Sequence, residues 1–237
     1  MRLNQLSAIL GLTTVAVFST QLAVQANTTT YQIASGTTSL SLDVNLLESL
    51  GLSFSSATDT VTPATGFDLG FGILPPSSNL SVLGTDFTFS YDDATSAFTP
   101  LSGTLEHSGS LLFNVDTNKL TLFPTLEIGN FSIGFDGGFY IRDSFSTGLR
   151  LFDLAVNSNP VLNGTSLQIS NVNVLISQEF ADLLTNYSDP ESSANLAGTV
   201  VGQAQIDATT VPEPGSVLAI LTAASAALAV SRRRKVA

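Results

Sequence analysis

The chain has no cysteine, no tryptophan and a single histidine among its 237 residues. Without cysteine there is no disulfide staple, no thiolate nucleophile and no sulfur-rich metal site, so the fold must rest on its core alone. Without tryptophan, a sugar-stacking platform would have to be built from Tyr31, Tyr91, Tyr140 and Tyr187. Cations are scarce as well: between residues 27 and 211 only Lys119, Arg142 and Arg150 face eighteen acidic side chains, a net charge of −15. Such a surface repels nucleic acid and anionic lipid.

The lone histidine, His107, sits in Leu105-Glu-His-Ser-Gly109 beside Glu106 and Ser108. Adjacent side chains on a strand point to opposite faces, so these three make a poor triad, and His107 is expected in a hairpin turn. No Gly-x-Ser-x-Gly elbow, His-Glu-x-x-His pair or phosphate-binding glycine loop occurs. No catalytic residue, cofactor site or metal site is assigned, and the chain is read as a non-enzyme. Calcium is tolerated at Asp92-Asp93 or around Asp136 and Asp143, although no Asp-x-Asp-x-Asp-Gly loop supports it.

What the chain does have begins with an N-terminal export signal. Arg2, the apolar stretch Leu6 to Phe18 and the small-residue end Val24-Gln25-Ala26 have the order of a signal peptide over residues 1–26, with cleavage expected after Ala26. Residues 27–206 then read as one β-rich extracellular domain, with runs of period-two apolar residues separated by Gly, Asn, Asp, Ser and Thr. Phe87, Phe89 and Tyr91 alternate with Thr88 and Ser90 and belong on one buried face. Leu111, Phe113 and Val115 lead into a turn at Asp116-Thr117-Asn118-Lys119, with Leu120 and Leu122 as the returning strand, and Asp136-Gly137-Gly138 makes another turn.

Two parity slips are visible. Leu126 and Ile128 are even whereas Phe131, Ile133 and Phe135 are odd, and Leu167 and Ile169 are odd whereas Val172, Val174 and Ile176 are even. A bulge or bend is therefore expected at Gly129-Asn130 and at Ser170-Asn171. Two short helices are expected, one capped by Asn45 over Leu46 to Leu50 and ended by Gly51, the other after Ser177 with Phe180, Leu183 and Leu184 on one face. The last strand is expected over Gly198 to Ile206. The fold class implied is mainly β, a single antiparallel β-sandwich-like domain, with a β-solenoid as the alternative.

After a short linker at 207–210, the C-terminal segment 211–237 has three parts in order: Val211-Pro212-Glu213-Pro214, an apolar helix over 216–230, and the basic end Arg232, Arg233, Arg234 and Lys235. The prolines keep the first part extended. Val217 to Val230 is fourteen residues, about 21 Å of helix against a hydrocarbon core of about 30 Å, and the adjacent cations act as a stop on the cytoplasmic side. On these parts the segment resembles the PEP-CTERM sorting signal of bacterial exported proteins. The resemblance implies an exosortase-type processing enzyme as partner, membrane attachment through the C-terminal helix before cleavage, and final placement at the cell surface or in the extracellular matrix. It also implies a structural, adhesive or biofilm-associated role with exopolysaccharide as the surrounding polymer. The alternative is a secreted hydrolase acting on extracellular polysaccharide, recognisable by carboxylates converging in a cleft.

Overall fold

The computed structural model describes residues 28–79, 81–185 and 195–213. The signal peptide expected over 1–26 with its Ala26 site, Pro214, the helix expected over 216–230 and the basic end all lie outside the described residues. Among the described residues no helix is long and apolar enough to cross a membrane.

The fold is mainly β, and among the described residues every strand pairing is antiparallel, unlike the stacked parallel rungs of a solenoid. Its centre is formed by three long strands. β1 (Thr28–Leu42) and β14 (Val200–Pro212) pair along nearly their whole lengths, and β13 (Ser166–Ile176) covers the other edge of β14. From β1 the sheet continues through β4 (Thr88–Asp92) to β5 (Ala97–Ser102). Beyond β13 it runs through β11 (Arg150–Val156), β10 (Phe139–Arg142) and β9 (Ser132–Phe135) to β6 (Leu105–Glu106). β3 (Leu69–Ile73) joins the same edge of β1 as β4, and β12 (Val161–Asn163) pairs with β13, making eleven strands.

This sheet curls. A bridge from Ile73 to His107 and a bond from the Leu74 N–H to the Glu106 carbonyl bring its far end back against β3. A separate three-stranded sheet is formed by β2 (Leu52–Thr58), β7 (Ser110–Val115) and β8 (Thr125–Gly129), so the two sheets are of unequal size.

Both parity slips mark real features. At Ile169/Val172 the register between β13 and β14 shifts, and Asn171 takes φ +55°. At Gly129-Asn130 the chain does more than bulge: β8 ends in the small sheet, Asn130 turns through φ +45°, and β9 begins in the large one. The change of buried face is thus the mark of a strand changing sheets. The turn at Asp136-Gly137-Gly138 joins β9 to β10 as expected, with Phe135 opposite Phe139.

Four expectations are corrected. α1 (Val44–Ser49) is capped by Asp43, whose carboxylate accepts from the Leu46 N–H at 2.9 Å, because Asn45 already lies inside the helix. The return from β7 is not Leu120 to Leu122: Leu120 is buried beside Gly51 within a long connection, and β8 starts only at Thr125. His107 is in the core rather than in a turn, since β6 is covered on both faces by the curl of the sheet. The final strand continues through the supposed linker 207–210 to Pro212, because β1 offers pairing partners as far as Tyr31.

α2 (Gln178–Leu184) is capped by Ser177, which accepts from the Phe180 N–H at 3.1 Å and donates to the Arg150 carbonyl. Ser177→Ala is expected to cost about 1 to 2 kcal/mol, at the upper end for a helix cap because the residue is buried and joins α2 to β11. Urea denaturation of the variant reads this; an unchanged midpoint would mean that the cap contributes nothing.

Buried phenylalanines join Leu, Ile and Val in the core. Phe89 stacks on Tyr31 at 5.5 Å and on Phe98 at 4.8 Å, and Phe87 reaches Phe139 at 6.0 Å. Phe87, Phe89 and Tyr91 are all buried on one face of β4 and its approach.

Candidate functional site

His107 is 1 % exposed. Its Nδ1 lies 2.8 Å from the Phe131 carbonyl, which can only accept, so Nδ1 carries the proton and Nε2 accepts from the Thr38 hydroxyl at 2.8 Å. Burial lowers its pKa to about 4, opposed in part by its bonds to the Phe131 and Leu105 backbone. The space beside it is a void of about 20 Å³, lined by Leu40, Phe71, Leu111, Phe131 and other apolar side chains. Both ring nitrogens are committed, and the ring faces packed hydrocarbon.

Glu106 points the other way. Its Oε1 accepts the Thr104 hydroxyl at 2.5 Å and the Ser132 hydroxyl. Its buried Oε2 has no hydrogen-bond partner among the described residues. The two residues therefore do not form a carboxylate and base acting together.

Two of the candidate calcium carboxylates, Asp92 and Asp143, accept hydrogen bonds from nearby groups of the chain. Asp92 accepts from the N–H groups of Ala94 and Thr95 at 2.8 and 3.2 Å. Asp143 is fully buried and accepts five hydrogen bonds, from the N–H groups of Gly129, Phe145, Ser146 and Thr147 and the hydroxyl of Thr147. These donors all point positive ends at the carboxylate, which is the reverse of a cation site. The sequence reading missed this role for Asp143; its only trace is Ser146 and Thr147 placed three and four residues later, a local capping arrangement.

Among the described residues, hollows open on the surface at two places where carboxylates lie. One, of about 370 Å³, is lined by Leu42, Val44, Phe54, Asp68 and Leu69 and contains one carboxylate. The other, of about 330 Å³, is lined by Arg150, Asp153, Ser177, Gln178 and Glu179 and contains two. Both of those carboxylates are drawn to Arg150: Asp153 accepts from its Nε at 2.6 Å, and Glu179 from its main-chain N–H at 2.8 Å. The guanidinium lies 4.7 Å from the centre of the Tyr140 ring, and a Cβ on Gly134 would meet that ring at 2.6 Å, so Tyr140 is flanked on the sheet surface. Tyr31 and Tyr91 are in the core. None of these three presents an open ring for a sugar.

The remaining site is the pole where the described ends of the chain meet. Tyr31 is opposite Pro212 and Gln32 opposite Val211, and the Glu213 N–H donates to the Thr30 carbonyl at 2.9 Å. Val211, Pro212 and Glu213 of the expected sorting motif thus lie beside the first residues of β1, close to where a chain cut after Ala26 would begin. β14 carries them there because its alternating buried residues, Ala204, Ile206, Ala208 and Thr210, fix its register between β1 and β13. Compared with protein-family models, with curated proteins and with solved structures, the chain matches none.

Proposed function

We propose that the chain is an exported bacterial surface or extracellular-matrix protein, attached to the membrane by its C-terminal segment and sorted there by an exosortase-type enzyme, with a structural or adhesive role. The observation that carries this reading is the shared pole. Glu213 is hydrogen-bonded to Thr30, so the last described residue of the chain lies beside the first residues of β1. A body attached in this way stands on the membrane with its acidic surface directed outward, and the four terminal cations occupy the opposite side of the bilayer. The commitment of His107, Asp92 and Asp143 to internal hydrogen bonds agrees with a structural role.

The test is to locate the protein in its host and weigh its mature ends, with and without the sorting enzyme. Expected are an N-terminus at Asn27 and loss of the C-terminal helix in the presence of the enzyme, with full C-terminal length retained in membranes in its absence. Replacing Arg232, Arg233, Arg234 and Lys235 by Ser should let uncut protein leak outward, since a short helix without its cationic stop is poorly retained. Identical C-terminal masses with and without the enzyme would rule the reading out.

One observation favours the hydrolase alternative: Asp153 and Glu179 share an open hollow. If polysaccharide cleavage is found, Asp153→Asn and Glu179→Gln should each abolish it. Activity surviving both changes would exclude that hollow.

A further inference from the structure

We infer that the described part of the sorting motif is held against β1, Val211 and Pro212 as the end of β14 and Glu213 by its bond to Thr30, and that this end must detach from β1 before the motif can be processed. This inference rests on the sorting reading above and concerns the regulation of that same site.

The geometry follows from the alternation of main-chain groups along a strand. The Thr210 N–H donates to the Thr165 carbonyl at 2.8 Å, away from β1, and the Glu213 N–H donates to Thr30 on β1. Val211 lies between them at a position that faces β1, opposite Gln32. Pro212 faces the other edge, where pairing with β13 has already ended at Thr209. That edge would be open to an added strand, but proline has no N–H to offer there. An enzyme that grips an extended substrate by its main chain therefore finds one edge of the motif occupied by β1 and the other lacking a donor. Detaching 211–213 from β1 frees the groups of Val211 and Glu213. Detachment has a natural limit at Thr210, which is fully buried and bonded to Thr165 through both its N–H and, at 3.2 Å, its hydroxyl.

A consequence is that folding and processing are coupled. Before β1 folds onto β14 the motif is accessible, and afterwards it is accessible only in the fraction of molecules whose strand end is open.

The absence of cysteine allows a clean test. Gln32→Cys with Val211→Cys places two thiols at directly opposed strand positions, within the span of a disulfide. Thr37→Cys with Asp207→Cys closes the same pair of strands upstream of Thr210 and serves as the control. Both proteins are oxidised, their closure verified by mass, and then incubated with membranes of the native host containing the sorting enzyme. Expected is processing of the closed 32–211 clamp about tenfold or more slower than the parent, because its opened fraction is removed, with recovery on reduction and with the 37–207 clamp cut like the parent. A closed 32–211 clamp processed at the parent rate would overturn the inference. Hydrogen exchange on the purified protein reads the pairing without the enzyme: a protected Glu213 amide is expected, and exchange at the rate of a free peptide overturns the inference. Should the parent go uncut while Glu213 is protected, it is the sorting reading that fails, and the gate fails with it.

Discussion

Asp143→Ala is expected to lower the free energy of unfolding by about 3 to 5 kcal/mol, a large share of the total for a single domain. The side chain accepts five hydrogen bonds, and four of the donors are main-chain N–H groups of Gly129, Phe145, Ser146 and Thr147. Bonds to a charged acceptor contribute about 1.5 to 3 kcal/mol each in isolation, and their removal strands buried N–H groups. The cost is below the sum because some of the loop can reach water once released. The damage should spread, since the same loop closes the edge of the small sheet: the Ser144 and Phe145 N–H groups donate to the Gly129 carbonyl, and Ser146 donates to the Glu127 carbonyl. Asp143→Asn keeps the shape, loses the charge and turns a donor towards donors, so an intermediate loss is expected. Urea midpoints at pH 7 decide this. A loss under about 1 kcal/mol for Asp143→Ala would show that the loop is held by its packing instead.

Much of the β framework was legible because one face of the central strands is buried. The odd positions Phe89 and Tyr91 of β4 and the even positions Val172, Val174 and Ile176 of β13 are fixed by period two, and a one-residue slip cannot be hidden, although Phe135, odd like Phe131 and Ile133, is exposed beside the turn into β10. The slips at Gly129-Asn130 and Ser170-Asn171 accordingly mark Asn130 and Asn171, two of the described non-glycine residues with positive φ. The same pattern does not say which strand meets which. That β8 and β9 belong to different sheets depends on the long-range pairing of β7 with β2 and of β10 with β11, about which a local period is silent. Asp143 was hidden for a related reason: in sequence it is one acid among many, and its role exists only once Gly129 is brought beside it. At the C-terminal pole the prolines read as punctuation, yet Pro212 is in a strand, because an edge position that needs no N–H accepts proline.

His107 makes the protein lose stability with acid over a defined window. In the unfolded chain its imidazole titrates near 6.5; in the fold its pKa is lowered to about 4 by burial. Between those values the unfolded state binds a proton that the native state does not, so stability falls as pH drops from 6.5 to 4 and is fully present above 6.5. The difference of about 2.5 pH units corresponds to about 3 kcal/mol, to be read as the pH dependence of urea midpoints. Below that window Asp143 takes over. Burial alone would raise its pKa, but bonds from Gly129, Thr147 and Phe145 hold it below the ordinary carboxylate value, so its stabilisation is present above that value and fades as the group protonates. His107→Gln separates the two. It should be less stable at pH 7, since one amide cannot serve both Thr38 and Phe131, yet its slope between pH 6.5 and 4 should be flatter by most of that 3 kcal/mol. A slope equal to that of the parent, or an imidazole resonance titrating near 6.5 in the folded protein, would show that the ring is open to water. The physical origin of the window is the curl of the sheet: β6 is the last strand of one edge, and only its return against β3 at Ile73 places a histidine where a charge cannot be solvated.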